Sequence, residues 1–318
     1  MSGIGISVVI PVFRGRDTLE ELCRRLTPVL EGIETLGDKH HEIILVDDGS
    51  RDGSWAIIQR LAAQDPRIIG LRLSRNFGQH NATLAGFRHA RGRLIVTMDE
   101  DLQHPPEEIP SLLKARAASN ADLVYGIPDR RRHAWWRRLG SRLVMLIPRR
   151  VMGVPFDIGS FRLLDARIAA EVAKALRHDI VLDVYCSWVS DRIEAVTVEH
   201  HESRRDSSYT IFGLCRMLLS ILYNYTVFPL RVSTIAGALL SVGALGLAAW
   251  FIYLKLRFGD AVESGFSALI VSILLSTGVI MLGIGMLSEY LAHTFLHVIR
   301  KPQSVVREST IDRDHHDA

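Results

Sequence analysis

Short apolar runs alternate with helical patterns along the first third of the chain. Ile6-Ser7-Val8-Val9-Ile10-Pro11-Val12-Phe13, Glu42-Ile43-Ile44-Leu45-Val46, Ile68-Ile69-Gly70-Leu71-Arg72-Leu73 and Leu94-Ile95-Val96-Thr97-Met98 are rich in β-branched residues and end in turn residues. They predict buried strands. Between them, amphipathic spacing predicts a helix from about Thr18 to Leu36, a second helix that Ser54 is placed to cap, and a third reaching about Ala90. Strand alternating with helix predicts a parallel α/β sheet. Ligands of such sheets bind at the carboxyl ends of the strands. Asp47-Asp48 and Asp99-Glu100-Asp101 fall at those ends.

The pattern changes near Val232. No charged side chain occurs from Val232 to Leu254, nor from Ser264 to Ser288. Each run exceeds the roughly 20 residues that cross a bilayer core. A buried globular helix would explain one such run; two in tandem argue for a transmembrane hairpin. The short polar link Lys255 to Glu263 would return both ends to one side. Ahead of it, Arg130-Arg131-Arg132-His133-Ala134-Trp135-Trp136-Arg137-Arg138 continues to Arg149-Arg150, with Trp135, Leu139, Leu143 and Leu146 at helical spacing. That suits a basic helix at about 134–152 lying on an anionic membrane surface. Nucleic-acid binding is the rival reading of clustered Arg and Trp, and a net charge of only +3 weakens it. A solvated basic face is the plainer alternative. The expected organisation is a catalytic domain at 1–209, a juxtamembrane helix at 210–231, spans at 232–254 and 264–288, and a tail at 289–318, polar after Pro302.

With 318 residues, the chain can hold one α/β domain of about two hundred residues and an appendage. The first apolar run is strand-like and followed by Arg14 and Arg16, which does not predict a secretory leader. Cys23, Cys186 and Cys215 are odd in number and widely spaced, suggesting neither a disulfide framework nor a zinc site.

The candidate chemistry sits in the acidic turn. Asp99 and Asp101, at i and i+2 where a strand ends before Pro105-Pro106, can reach one hard cation, Mg²⁺ or Mn²⁺. Such an ion usually shares its oxygens with a substrate diphosphate and would stabilise the charge on a nucleotide leaving group. A phosphate acceptor has a second pKa of about 6, so a dedicated strong base is optional. Arginine forks would position its oxygens.

Pro11-Val12-Phe13, Val46-Asp47-Asp48-Gly49-Ser50, Asn76-Phe77-Gly78-Gln79-His80, Ala85-Gly86-Phe87 and Asp99-Glu100-Asp101-Leu102-Gln103-His104-Pro105-Pro106-Glu107 together resemble the polyprenyl-phosphate glycosyltransferases. These are enzymes of the dolichyl-phosphate-mannose synthase class, including the bactoprenol glucosyltransferases and the undecaprenyl-phosphate formamido-arabinose transferases. The likeness runs in order from about Ile6 to Arg307. It implies a GT-A-type, mostly parallel α/β sheet that binds a nucleotide sugar, with juxtamembrane helices and a two-helix hairpin. It implies inverting transfer to a polyprenyl phosphate at the cytosolic face of the inner membrane; a homo-oligomer is expected. By resemblance, Gln103 joins Asp99 and Asp101 at the metal. Pro11, Val12, Asp47, Asp48 and Gln79 hold the donor nucleotide. Arg137 and Ser141 contact the acceptor phosphate, with Arg204 or Arg205 replacing a missing arginine there. Asp157 and Arg162 complete the catalytic set.

The chain also departs from that pattern. Arg14-Gly15 stands where Asn-Glu is usual, Glu100 replaces the alanine of Asp-Ala-Asp, and Ser160 replaces an aspartate before Phe161-Arg162. The Glu100 side chain is expected to point away from a metal held by its neighbours. Pro128 stands where an arginine often follows the fifth strand. His200 and His201 read as strand-end polar residues. Asn76 to Asn81, Glu107 to Pro110 and Asp157 look closer to the aminoarabinose transferases, which favours a UDP-linked donor over GDP-mannose. A processive polysaccharide synthase would need a Gln-x-x-Arg-Trp motif and more spans. A nucleotide-binding scaffold or lipid-carrier translocator is the non-catalytic alternative, and turnover discriminates it.

Overall fold

The computed structural model describes residues 3–33, 40–128, 159–174, 182–199, 228–258, 266–298 and 302–311. The chain divides into two units. One comprises Met1–Ser208 with Lys301–Ala318, and the other Tyr209–Arg300.

The first unit is built on an eight-stranded sheet. Its strands are β1 (Ile4–Val12), β2 (His40–Asp47), β3 (Ile68–Leu73), β4 (Leu94–Thr97), β5 (Leu123–Pro128), β6 (Arg162–Asp165), β7 (Ile193–Val198) and β8 (Val306–Ser309). They lie in the order β7-β5-β6-β4-β1-β2-β3-β8. The central block β4-β1-β2-β3 is parallel throughout, as predicted, with Val8 registered between Ile43 and Val96. β6 inserts antiparallel between β4 and β5. The sheet is therefore mostly parallel at its centre and mixed at its flank.

Burial follows the period of a strand covered on both faces. Ile6, Val8, Ile10, Val12, Ile43 and Leu45 pack on one face against α1 (Leu19–Glu31), α2 (Ser54–Gln64) and α4 (Ile109–Ser119). Val9, Ile44, Val46, Ile69 and Leu71 pack on the other against α3 (Gln79–Phe87), α5 (Ala166–Ala173) and α6 (Leu182–Val189). On α1, Leu19, Leu22, Cys23, Leu26 and Leu30 form the buried stripe, the i, i+3, i+4 spacing of one helix face. Each such leucine contributes about 1.5–3 kcal/mol on burial.

Several boundaries differ from the sequence reading. α1 stops at Glu31, with Gly32 as its C-cap, rather than reaching Leu36. α3 stops at Phe87 rather than Ala90. Ser54 is the first residue of α2, and Gly53 at φ 94° is its N-cap. The capping oxygen is that of Asp52, which accepts from the Ser54 N–H at 3.1 Å and its hydroxyl at 2.6 Å. Asp52 reaches those groups because the glycine turns the chain back over the helix end.

The segment after Pro302 is not simply a polar tail. Val306–Ser309 forms β8, which pairs antiparallel with β3. Gly70 donates to the Thr310 hydroxyl at 2.8 Å and accepts from the Thr310 N–H at 2.9 Å. Glu308 receives the Trp55 indole N–H at 2.9 Å and Arg72 at 2.9 Å. A four-residue edge strand with one face in water carries charged residues, so its composition imitates a loop.

The second unit holds two long apolar helices, α7 (Phe228–Phe258) and α8 (Phe266–Val298). Each contains a stretch long and apolar enough to cross a membrane, Leu230–Leu247 and Leu275–Ala292. Among the described residues of these stretches none is buried, Leu239 and Leu245 being 69% and 72% exposed. The expected basic helix at 134–152 and most of the juxtamembrane helix lie outside the described residues, as do His200 and His201.

Candidate active site

The carboxyl ends of β1, β2, β3 and β4 meet around one cavity of about 270 Å³. β1 contributes Pro11 and Val12, with Phe13 just beyond, and the turn after β2 contributes Asp48. Asn76, Gly78 and Gln79 come from the loop between β3 and α3, and Asp99, Glu100 and Asp101 follow β4. Sheet geometry thus gathers four turns that are far apart in sequence.

The turn after β2 is braced by its own acids. Asp47 Oδ1 accepts the Ser50 N–H at 3.0 Å. Asp48 accepts the Phe77 and Gly78 N–H groups at 2.7 and 2.8 Å, tying this turn to the β3–α3 loop. Gly49, at φ 71°, packs so closely that a Cβ would lie 2.6 Å from the Arg75 carbonyl carbon, so only glycine fits. Asp47 is fully buried, and its second oxygen faces the Arg72 guanidinium at 3.5 Å rather than the cavity. Burial raises the pKa of both acids, opposed by these N–H donors.

The acidic turn is held from three sides. Gln79 donates to Asp99 Oδ1, and Ser160 donates its hydroxyl to Asp99 Oδ2. Asp101 accepts the Gln103 backbone N–H at 3.1 Å and the Gln103 amide. Leu102 between them is left-handed at φ 61°, local strain of a kind often held at functional turns. Desolvation pushes Asp99 up to about 6, aided by the Asp101 charge and opposed by the Ser160 bond and Arg162. Glu100 is pushed up to about 7, again chiefly by burial, with Asp99 and Asp101 adding to it. The Glu100 stem packs against Gly15, and its side chain is one wall of the cavity.

Behind the turn lies Arg162, which is 3% exposed. Its guanidinium is ion-paired with Asp183 of α6, and Tyr125 donates to the same carboxylate oxygen at 3.1 Å. Arg162 is not among the residues lining the cavity. Its Nε lies 3.5 Å from the Ser160 carbonyl oxygen, which also accepts the Thr97 hydroxyl.

Pro11, Val12, Asp48, Gln79, Asp99 and Asp101 are therefore brought together, Gln103 touches the acidic turn, and Asp47 and Arg162 sit behind it. Asp157, Arg137, Ser141, Arg204 and Arg205 lie outside the described residues. The sequence reading gave no role to Asp183, and treated Ser160 and Glu100 only as departures. Their partners are 21, 61 and 85 residues away, so no local spacing reveals them.

The family model of glycosyl transferase family 2 matches residues 7–181, which take in most of β1, all of β2 to β6 and every residue lining the cavity. The chain belongs to glycosyl transferase family 2. It is 35% identical over 303 residues to the undecaprenyl-phosphate 4-deoxy-4-formamido-L-arabinose transferase of Pseudomonas paraeruginosa, covering 94% of this chain and 88% of that protein. A crystal structure of glucosyl-3-phosphoglycerate synthase from Mycobacterium tuberculosis, bound to phosphoglyceric acid, shares the fold. Its TM-score is 0.50 at 20% identity, over 70% of this chain and 78% of that one. A mycobacterial protein of known structure matches at the same TM-score of 0.50 and 19% identity, over 70% of this chain and 73% of its own. The family 2 domain is thus a GT-A-like α/β sheet, and the protein is a glycosyltransferase.

Proposed function

We propose that this family 2 transferase moves the sugar of a UDP-linked donor onto undecaprenyl phosphate at the cytosolic membrane face, with inversion and with Mg²⁺ or Mn²⁺. The carrying observation is the Asp99–Asp101 pair in a cavity walled by four strand ends, in a chain similar along 94% of its length to a transferase that uses this lipid. The donor set suits a hard divalent ion: two mutually repelling carboxylates with an amide beside them, leaving further positions to substrate oxygens. Such an ion would supply charge stabilisation for the departing nucleotide.

The chain's own groups do the rest. Gln79 and Ser160 fix Asp99 from opposite sides, so its oxygens are oriented before a diphosphate arrives. Pro11, Val12 and Phe13 give the nucleoside an apolar wall, and Asp48 holds the facing loop closed. Arg137, Ser141 and Arg204 or Arg205 are assigned to the lipid phosphate, and Asp157 to the reaction centre. The acceptor phosphate is already ionised at neutral pH, so attack opposite the leaving group needs little proton transfer. The apolar helices α7 and α8 anchor the chain as a hairpin, and copies associate through them.

Turnover of purified full-length protein with nucleotide sugars and a short polyprenyl phosphate tests this reading. UDP-glucose-type or UDP-aminopentose donors are expected to react. Exclusive use of GDP-mannose, or tenfold tighter binding of GDP than UDP, about 1.4 kcal/mol, moves the enzyme to the mannosyl branch. No turnover with any donor would leave a scaffold.

A further inference from the structure

Glu308, Arg72, Asp47 and Val12 form one row across adjacent strands. Glu308 of β8 is registered with Arg72 of β3, Arg72 with Asp47 of β2, and Asp47 with Val12 of β1. The row reads acid, base, acid, and ends at the cavity, which Val12 lines. Arg72 Nη1 donates to Glu308 Oε1 at 2.9 Å, while its Nε lies 3.5 Å from Asp47 Oδ2. The Trp55 indole N–H donates to the other Glu308 oxygen at 2.9 Å, and the guanidinium stands over the Trp55 ring, 5.8 Å from its centroid. Asp47 Oδ2 is buried and accepts no hydrogen bond among the described residues, so the charge of Arg72 is what offsets it. The same segment also grips the neighbouring loop. Val305 accepts the Ser74 N–H at 2.8 Å. Arg88, at the C-cap of α3, donates to Gln303 Oε1 at 2.6 Å and to the Ser304 hydroxyl at 3.2 Å. The segment thus holds both ends of the stretch that brings Asn76, Gly78 and Gln79 to the cavity.

We propose that Glu308 is a positioning residue for donor binding: it fixes Arg72 against Asp47 and thereby sets the turn that carries Asp48. This rests on the cavity being the donor site. Glu308 is not among the residues lining that cavity, so it acts only through its neighbours. Without its carboxylate, the Arg72 side chain, 28% exposed, is free to turn to water. Asp47 is then left with a desolvated charge and no cation opposite, a state that burial already disfavours. Taking a proton or moving toward solvent would relieve it, and either weakens its hold on the Ser50 N–H. Asp48 is the next residue of that turn and moves with it. The Phe77 and Gly78 N–H groups are bound to Asp48, so the facing loop follows. An ion pair as exposed as Glu308–Arg72 adds little stability by itself. The strand does not depend on it either, because Gly70 and Thr310 exchange two hydrogen bonds and Ser74 adds a third. The charge of Glu308 is therefore separable from the fold.

The test is calorimetric titration of the full-length protein in detergent with UDP and GDP in the presence of Mn²⁺, together with donor and acceptor KM. Glu308→Gln removes the charge and keeps an oxygen for the Trp55 indole. It should move the unfolding midpoint by no more than about 4 °C. Nucleotide binding should weaken about threefold to tenfold, the scale for residues that act on a ligand without touching it. Donor KM should rise with acceptor KM unchanged. Arg72→Met should give at least the same loss, and adding Glu308→Gln to it should cost nothing further, since the two act as one unit. Arg60→Met, which breaks an exposed pair with Glu20 elsewhere on the same unit, should leave nucleotide affinity unchanged. A Glu308→Gln protein that binds nucleotide as the parent does overturns the proposal. So do losses that add in full, a rise in acceptor KM instead of donor KM, or a midpoint that falls well beyond 4 °C, which would report a loosened fold. A parent that binds neither nucleotide overturns the donor-site reading itself.

Discussion

Removing the Asp183 carboxylate would leave Arg162 as a buried cation without its ion-pair partner. The Arg162 side chain is 3% exposed and that of Asp183 9%, so water cannot take over the lost charge. Breaking such a pair from one side costs about 3–5 kcal/mol. The Tyr125 hydroxyl loses its acceptor in the same step. At about 2–4 °C per kcal/mol for a domain of this size, Asp183→Ala should lower the unfolding midpoint by roughly 6–20 °C. The assay is thermal unfolding of the purified full-length protein in detergent, followed by near-ultraviolet circular dichroism. The paired change Arg162→Met with Asp183→Leu should regain most of the stability, because apolar replacement of a buried ion pair is often neutral. It should not regain activity, since Arg162 supports the Ser160 carbonyl and through it Asp99. A midpoint for Asp183→Ala within about 2 °C of the parent, under 1 kcal/mol, would refute the argument.

Three further outcomes follow from the same geometry. Asp101→Asn should fold normally yet lose at least about 10²-fold in turnover, the scale for one preorganised electrostatic group; full activity in excess chelator would remove the metal site. Asp99 at about 6 and Glu100 at about 7 are raised above their free values. The ligand-free fold therefore gains stability from them at low pH and loses it as pH rises through those values. Stabilisation by Mn²⁺ should run the opposite way, larger at about pH 8 than at about pH 5, because binding needs the ionised acids; an increment independent of pH would contradict the assignment. With the chain's own cysteines replaced by alanine, a cysteine at Gly259 should be labelled from outside intact cells and one at Gly37 should not. Labelling at Gly37 would invert the topology and cut the site off from cytosolic donor.

The elements that a residue determines through its own neighbours were legible in the sequence. The near-continuous apolar runs of β1 and β2 and the leucine stripe of α1 each report burial of one local segment, and the charge-free runs of α7 and α8 report one long apolar helix each. The acidic turn after β4 was legible for the same reason, since Asp99 and Asp101 are two residues apart and end a strand. Tertiary structure alone decided which turns face one another. Val306–Ser309 becomes a strand only because β3 offers an unpaired edge, and its Glu308 is matched by Trp55 and Arg72 from the other end of the chain. Arg162, a catalytic candidate by motif, is withdrawn behind the site by an aspartate on a helix with no distinguishing pattern. Glu100 and Gly15 look like unrelated departures until the fold puts one in the space vacated by the other. Hydrophobic burial repeats with the period of its own helix or strand and can be read in one dimension. A polar contact pairs single residues across the fold, leaves no period behind, and exists only once the backbone has brought both partners together.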